Sequence, residues 1–160
     1  MLVGSKSVQE HLVDGRQSET ALSVARGVRR LLRARNCASV PELVLSDGCR
    51  ADIVALAADG TLFIVEIKSS VADFRADGKW PCYRAHCDGL FFAIPPTVPV
   101  SLMPADAGLI VADAFGAEVV REPPEHRLAG ATRRALLIRF AQAAADRLHR
   151  ASDPAALLAG

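Results

Sequence analysis

The chain has 160 residues, with 19 Lys and Arg against 18 Asp and Glu, for a net charge of +1. That balance excludes a global field that would draw in nucleic acid or a membrane surface, so any such partner has to be met by a local patch. There is no apolar run of about 18 residues and no apolar N-terminal stretch like a signal peptide's. The expectation is therefore one cytoplasmic domain with a sizeable core and no membrane partner.

Residues 1–17 alternate polar and apolar types without a firm period, and Gly15 interrupts them, so a mobile segment is expected before a single domain spanning 18–150. Ser18 is suited to cap a helix running to about residue 35, with Glu19 in its first turn. Ala21, Val24, Ala25, Val28, Leu31 and Leu32 fall on one helical stripe. Ser23, Arg26 and Arg30 lie opposite, with Arg29 and Arg33 flanking. This face is either solvated or touches phosphate.

Three strands follow, at about 40–45, 49–56 and 62–68, joined by turns at Ser46-Asp47-Gly48 and Ala58-Asp59-Gly60. Asp52, Glu66 and Lys68 interrupt otherwise apolar strands, where an unpaired charge is expensive to bury. Glu66 and Lys68 are two apart and share a face. The turn decides whether Asp52 joins them. A two-residue loop would set Asp52 opposite Ile67. A three-residue loop with Gly60 left-handed pairs Ala57 with Thr61 and sets Asp52 opposite Glu66, which is the predicted register. The upstream turn would likewise set Glu42 opposite Asp52. The bland alternative is a Lys68–Glu66 ion pair on a solvated face.

Ser69 and Ser70 offer caps for a helical turn over 71–76. Gly78 breaks it, and Pro81 suits the start of a second helix near Trp80. Phe74 and Trp80 read as packing residues. Residues 90–94 form a continuous apolar run, a strand covered on both faces. Residues 95–107 hold four prolines and read as a loop, followed by strands at 109–112 and 118–121. A last helix over 131–150 would pack Leu136, Leu137, Phe140, Ala144 and Leu148 on the sheet and leave Arg133, Arg134, Arg139 and Arg147 wet, with a frayed tail at 151–160. The order is that of an α/β sandwich with a mixed sheet flanked by helices. Cys37, Cys49, Cys82 and Cys87 form no C-x-x-C pair, so buried free thiols are expected rather than a zinc site.

Two acids beside a lysine suit phosphodiester hydrolysis, which needs hydroxide near phosphorus and charge neutralisation on the leaving oxygen. One or two Mg²⁺ (or Mn²⁺) ions held by carboxylates meet both needs. Asp52 and Glu66 are the expected ligands, with the Ile67 carbonyl as a third and Lys68 orienting water or stabilising the phosphate. The third acid is Glu42 or Glu19. The histidines and glycines form no catalytic triad or phosphate loop.

Asp52 followed fourteen residues later by Glu66-Ile67-Lys68 resembles the D…(E/D)-x-K core of the PD-(D/E)xK nuclease superfamily. The flanking helices are similar to its α-β-β-β-α-β plan, the restriction-endonuclease-like sandwich. That resemblance implies a first acid at Glu19. Lys79-Trp80-Pro81-Cys82-Tyr83 resembles the Q-x-x-x-Y element of RecB-like members, with Lys79 in place of Gln, and Ala51 replaces the Pro.

More narrowly, residues 26–32, Arg50-Ala51-Asp52, Val65-Glu66-Ile67-Lys68-Ser69-Ser70, the run 73–81 and the run 112–118 resemble the MmcB family of bacterial DNA-repair proteins over about 20–150. The resemblance implies DNA repair with DNA as partner, by a metal-dependent deoxyribonuclease or by a non-catalytic DNA-binding scaffold on the same fold. Its setting would be the nucleoid. Arg26, Arg30, Arg50 and Arg75, with Lys79 and Tyr83, are the expected nucleic-acid contacts. Many nucleases of the superfamily dimerise, so a homodimer is a further expected partner, with residues 90–94 forming either the covered face or the core.

Overall fold

The computed structural model describes residues 18–78 and 80–155. The expectations for residues 1–17, for Lys79 and for the end of the tail lie outside the described residues. Helix α1 (Glu19–Ala34) starts where the Ser18 hydroxyl accepts the Ala21 N–H at 3.1 Å. It ends at Asn36, which is left-handed at φ 58°. Strands β1 (Ala38–Val44), β2 (Arg50–Leu56) and β3 (Leu62–Ile67) form the expected antiparallel meander.

The second turn has the expected form. The Ala57 N–H donates to the Thr61 carbonyl at 2.9 Å, the Gly60 N–H donates to the Ala57 carbonyl at 3.0 Å, and Gly60 sits at φ 90°. A side chain would be strained there, which is why the loop carries glycine. This turn sets the pairs Leu56↔Leu62 through Ile53↔Val65.

Ser70 caps the short helix α2 (Val71–Ala76) by accepting the Asp73 N–H, and a 3-10 segment spans Trp80–His86. Strand β4 (Gly89–Ile94) then lies parallel to β3, and β5 (Gly108–Ala112) parallel to β4. Strand β6 (Ala117–Arg121) returns antiparallel, giving one six-stranded mixed sheet in the order β1 to β6. Every residue of β4 is buried within this one chain, so the run 90–94 is core and is not a face left for a partner.

Helix α1 covers one face of the sheet through Val24, Val28 and Leu32 against Ile53, Val65, Phe91 and Ile110. Helix α3 (Gly130–Ser152) covers the other through Leu136 and Phe140, with Tyr83 of the 3-10 segment and Cys87 just after it. Three expectations for the last helix are corrected. Leu148 is 69% exposed and packs on neither face of the sheet. Arg133 turns inward to Asp88, whereas Arg147 stays exposed as expected while donating to the carbonyls of Pro41 and Glu42. Ala151 and Ser152, expected in the frayed tail, are the last residues of the helix. No helix among the described residues is long and apolar enough to cross a membrane.

Candidate functional site

The β2–β3 ladder stops at Ile53↔Val65, one pair short of the two acids. At the next position side chains take over the backbone donors. The Asp52 N–H donates to Glu66 Oε1 at 3.1 Å, and the Ile67 N–H donates to Asp52 Oδ2 at 2.8 Å. Buried N–H groups need partners, so each carboxylate is fixed by the other strand's backbone. The expected facing of Asp52 and Glu66 is thus present, with their carboxylates crossed over the end of the ladder.

On the β1 side the pairs Pro41↔Ile53 and Leu43↔Ala51 bracket Glu42, which stands opposite Asp52 as expected. Glu42 adopts φ 51°, rare for a residue with a side chain, and Arg147 from α3 holds its carbonyl at 3.0 Å. Its carboxylate is exposed and lies 4.0 Å from Arg50.

The solvated-face alternative fails on burial: Glu66 is 3% exposed and Lys68 7%. Lys68 does form an ion pair, but with Asp77 just past α2. Burial pushes the Glu66 carboxyl up to about 8, the charge of Asp52 adds to this, and the Asp52 N–H and Lys68 oppose it. Asp52 is also raised by burial, against the Ile67 N–H and Lys68. When all are ionised, three carboxylates (Asp52, Glu66, Asp77) and one ammonium leave two negative charges in a poorly solvated place. Hard oxygen donors with that excess are the donor set that Mg²⁺ or Mn²⁺ takes.

Asp52, Ile67 and Glu42 open onto a cavity of about 770 Å³ whose other wall is helix α1, presenting Arg26, Arg29, Arg30 and Arg33. Arg29 donates to the Ser39 hydroxyl at 3.1 Å and Arg30 to the Phe115 carbonyl at 3.2 Å, which fix two of the four. Arg29 and Arg33 are expected only at the flank, although the i, i+3 pairs Arg26–Arg29 and Arg30–Arg33 and the i, i+4 pairs Arg26–Arg30 and Arg29–Arg33 are the signal for one shared face. Asp77 as the partner of Lys68 carries no sequence signal either, since nothing in the eight residues between them marks that contact.

The remaining residues are more dispersed. Glu19 is exposed in the first turn of α1, and the Ser18–Ser69 hydroxyl bond at 3.3 Å brings that end of the helix beside the segment after Lys68. Arg50 and Arg75 are exposed, Arg50 beside Glu42. Tyr83 is no surface contact: it is 8% exposed and its hydroxyl donates to the Arg50 carbonyl at 3.1 Å, so its part is to pack beneath β2.

Comparison with curated proteins gives no match. Among solved structures, the SPO1766 protein of unknown function from Silicibacter pomeroyi is similar, with a TM-score of 0.83 and 44% identity over 87% of this chain and 95% of its own. The family model described as DNA repair protein MmcB-like matches residues 8–155. With that match spanning nearly the whole chain, the protein belongs to the MmcB-like DNA repair family.

Proposed function

We infer that this chain is a Mg²⁺- or Mn²⁺-dependent nuclease that hydrolyses DNA phosphodiester bonds during repair, on a restriction-endonuclease-like sandwich. The observation that carries the reading is the Asp52–Glu66 pair, cross-bonded at the end of a ladder, with Glu66 buried and Asp52 opening onto an arginine-lined cavity. The family supplies the DNA-repair context.

Asp52 and Glu66 would hold the metal, with the Ile67 carbonyl as a further ligand and Glu42 or Glu19 as the nearby third acid. A bound divalent ion supplies hydroxide at neutral pH and neutralises charge on the leaving oxygen. The chain's own work is positioning. Lys68, fixed by Asp77, presents a compact positive charge next to the acids, where charge accumulates on the phosphate. The arginines of α1 line the approach and hold phosphates without reading sequence. Arg50 and Arg75 extend the basic surface.

The test is incubation with duplex, single-stranded, flapped and four-way DNA in Mn²⁺ or Mg²⁺, beside EDTA and Glu66→Ala controls. Cleavage that disappears in both controls, while the variant stays folded, is the expected result. One observation favours a second reading, a non-catalytic DNA-binding scaffold: Lys68 is already neutralised by Asp77. Salt-sensitive binding with no product on any substrate would assign that role and end the nuclease reading.

A further inference from the structure

Away from the acids, the β1–β2 turn and the 3-10 segment bring together groups that lie far apart in sequence. Cys49 Sγ and Cys82 Sγ are 3.8 Å apart across a separation of 33 residues. Asp47 joins them, and the ligand atoms of Asp47, Cys49 and Cys82 all lie within 4.8 Å of one another. The Asp47 carboxylate is itself oriented, accepting the Cys49 N–H at 2.9 Å through Oδ1 and lying 3.0 Å from His86 Nε2 through Oδ2.

We propose that Asp47, Cys49 and Cys82 form a zinc site, with His86 fixing Asp47 from behind and the fourth position left to water. Two sulfurs bound to one tetrahedral zinc at about 2.3 Å each stand roughly 3.8 Å apart, the spacing of this pair. A disulfide would need the sulfurs at about 2.05 Å, and both thiols are free. Two thiolates with one carboxylate select a borderline-soft ion over Mg²⁺. The His86–Asp47 contact is the outer-shell support that holds a metal ligand in place.

Each thiol gives its proton to solvent as its sulfur–metal bond forms, two protons per ion, and no electron moves. The other cysteines are placed elsewhere: Cys37 by the Arg35 carbonyl and Cys87 in the core beneath Tyr83. The buried-thiol expectation thus holds for Cys87 alone, because the other three are only partly covered. A metal here would pin the hairpin tip to the 3-10 segment, whose Tyr83 bonds the residue two before Asp52.

The experiment uses the full chain, purified reduced and metal-free. It is titrated with Zn²⁺ against a competing chromophoric chelator, and with Co²⁺ followed by absorbance. One Zn²⁺ per chain is expected, with a thiolate-to-cobalt charge-transfer band. Binding should weaken at least about 100-fold in Cys49→Ser and Cys82→Ser, about 10- to 100-fold in His86→Ala, and stay unchanged in Cys37→Ser. Should the serine variants not fold, alkylation of the wild type decides: bound Zn²⁺ should protect Cys49 and Cys82 and leave Cys37 labelled. No uptake at stoichiometric Zn²⁺, a cobalt spectrum without thiolate bands, or a Cys49–Cys82 disulfide with no metal taken up after reduction would each overturn the proposal.

Discussion

Glu66 accepts the backbone N–H of Asp52, and Asp52 accepts the backbone N–H of the residue after Glu66. The two acids therefore replace the last rung of the β2–β3 ladder, and neither can be moved without leaving a buried donor unpaired. Their facing depends on register, and register depends on the left-handed Gly60: each pair from Leu56↔Leu62 to Ile53↔Val65 follows from that loop.

The Glu66 carboxyl gives the first prediction, in EDTA. Its folded pKa is raised from 4.5 to about 8, so the native state keeps a proton that the unfolded chain has released. Between those values the unfolded state binds fewer protons, and stability falls as pH rises. Glu66→Gln removes the titration without changing shape. In urea melts from pH 5 to 8.5, the wild type should lose on the order of a few kcal/mol and the variant much less. Adding Mg²⁺ or Mn²⁺ at pH 8 should restore the wild type's melting temperature and leave Glu66→Gln unmoved. Equal pH slopes for both proteins would show that Glu66 is not the strained group.

The arginine wall of the cavity gives the second. Each phosphate contact to duplex DNA adds about 0.9 to the slope of log affinity against log salt. Arg26 and Arg33 line the cavity on the exposed face of α1. Arg26→Ala with Arg33→Ala should flatten that slope by up to about 2 and weaken binding similarly across sequences. Arg84→Ala is the control, since Arg84 is committed to Asp106. A slope unchanged by the double variant would move the DNA elsewhere on the molecule.

The meander and the pairing of Asp52 with Glu66 were legible in the sequence because alternation and a glycine turn act locally. The order of helices and strands was legible for the same reason. What escaped was set by contacts between distant segments. Lys68 finds Asp77 because α2 folds back past the end of β3, and Cys49 meets Cys82 because the 3-10 segment packs under the first hairpin. Arg133 read as a wet helix residue because periodicity cannot see Asp88 beneath it. Tyr83 sat within a motif but its ring fills the core, a matter of packing that spacing does not encode.

Gly27 gives the third. In an exposed helix interior, Gly→Ala stabilises by about 1 kcal/mol. At Gly27 a Cβ would fall 2.1 Å from the Asp113 carbonyl oxygen and 2.5 Å from that of Gly116, both backbone atoms of the β5–β6 turn. Backbone cannot swing aside as a side-chain tip can, so overpacking outweighs propensity. Gly27→Ala should destabilise by roughly 1–3 kcal/mol in urea unfolding. Gly130→Ala, at the start of α3 with nothing within 4 Å, should be neutral or slightly stabilising. A stabilised Gly27→Ala would mean that α1 does not sit on that turn.

Asp88 gives the last. It is 3% exposed and accepts the N–H groups of Leu62 at 2.8 Å and Leu128 at 2.9 Å, together with a two-pronged contact from Arg133 at 2.8 and 2.6 Å. Burial alone would raise its pKa, but the Arg133 guanidinium and the two N–H donors outweigh it and hold the group at about 2, below the ordinary 3.8. A depressed acid contributes stability that is complete above the unfolded value and is lost as pH falls through the folded one. The wild type should therefore keep this contribution down to about pH 4 and lose it towards pH 2. Arg133→Ala strips the charge partner from a buried carboxylate, at a cost of about 3–5 kcal/mol. It should also move acid unfolding, followed by circular dichroism, to higher pH, because burial is then opposed only by the two N–H donors. Asp88→Ala combined with Arg133→Ala should cost less than the sum of the two single changes, since the second removes a partner already lost. Strict additivity would show that the pair does not hold the start of α3 to the β3 end of the sheet.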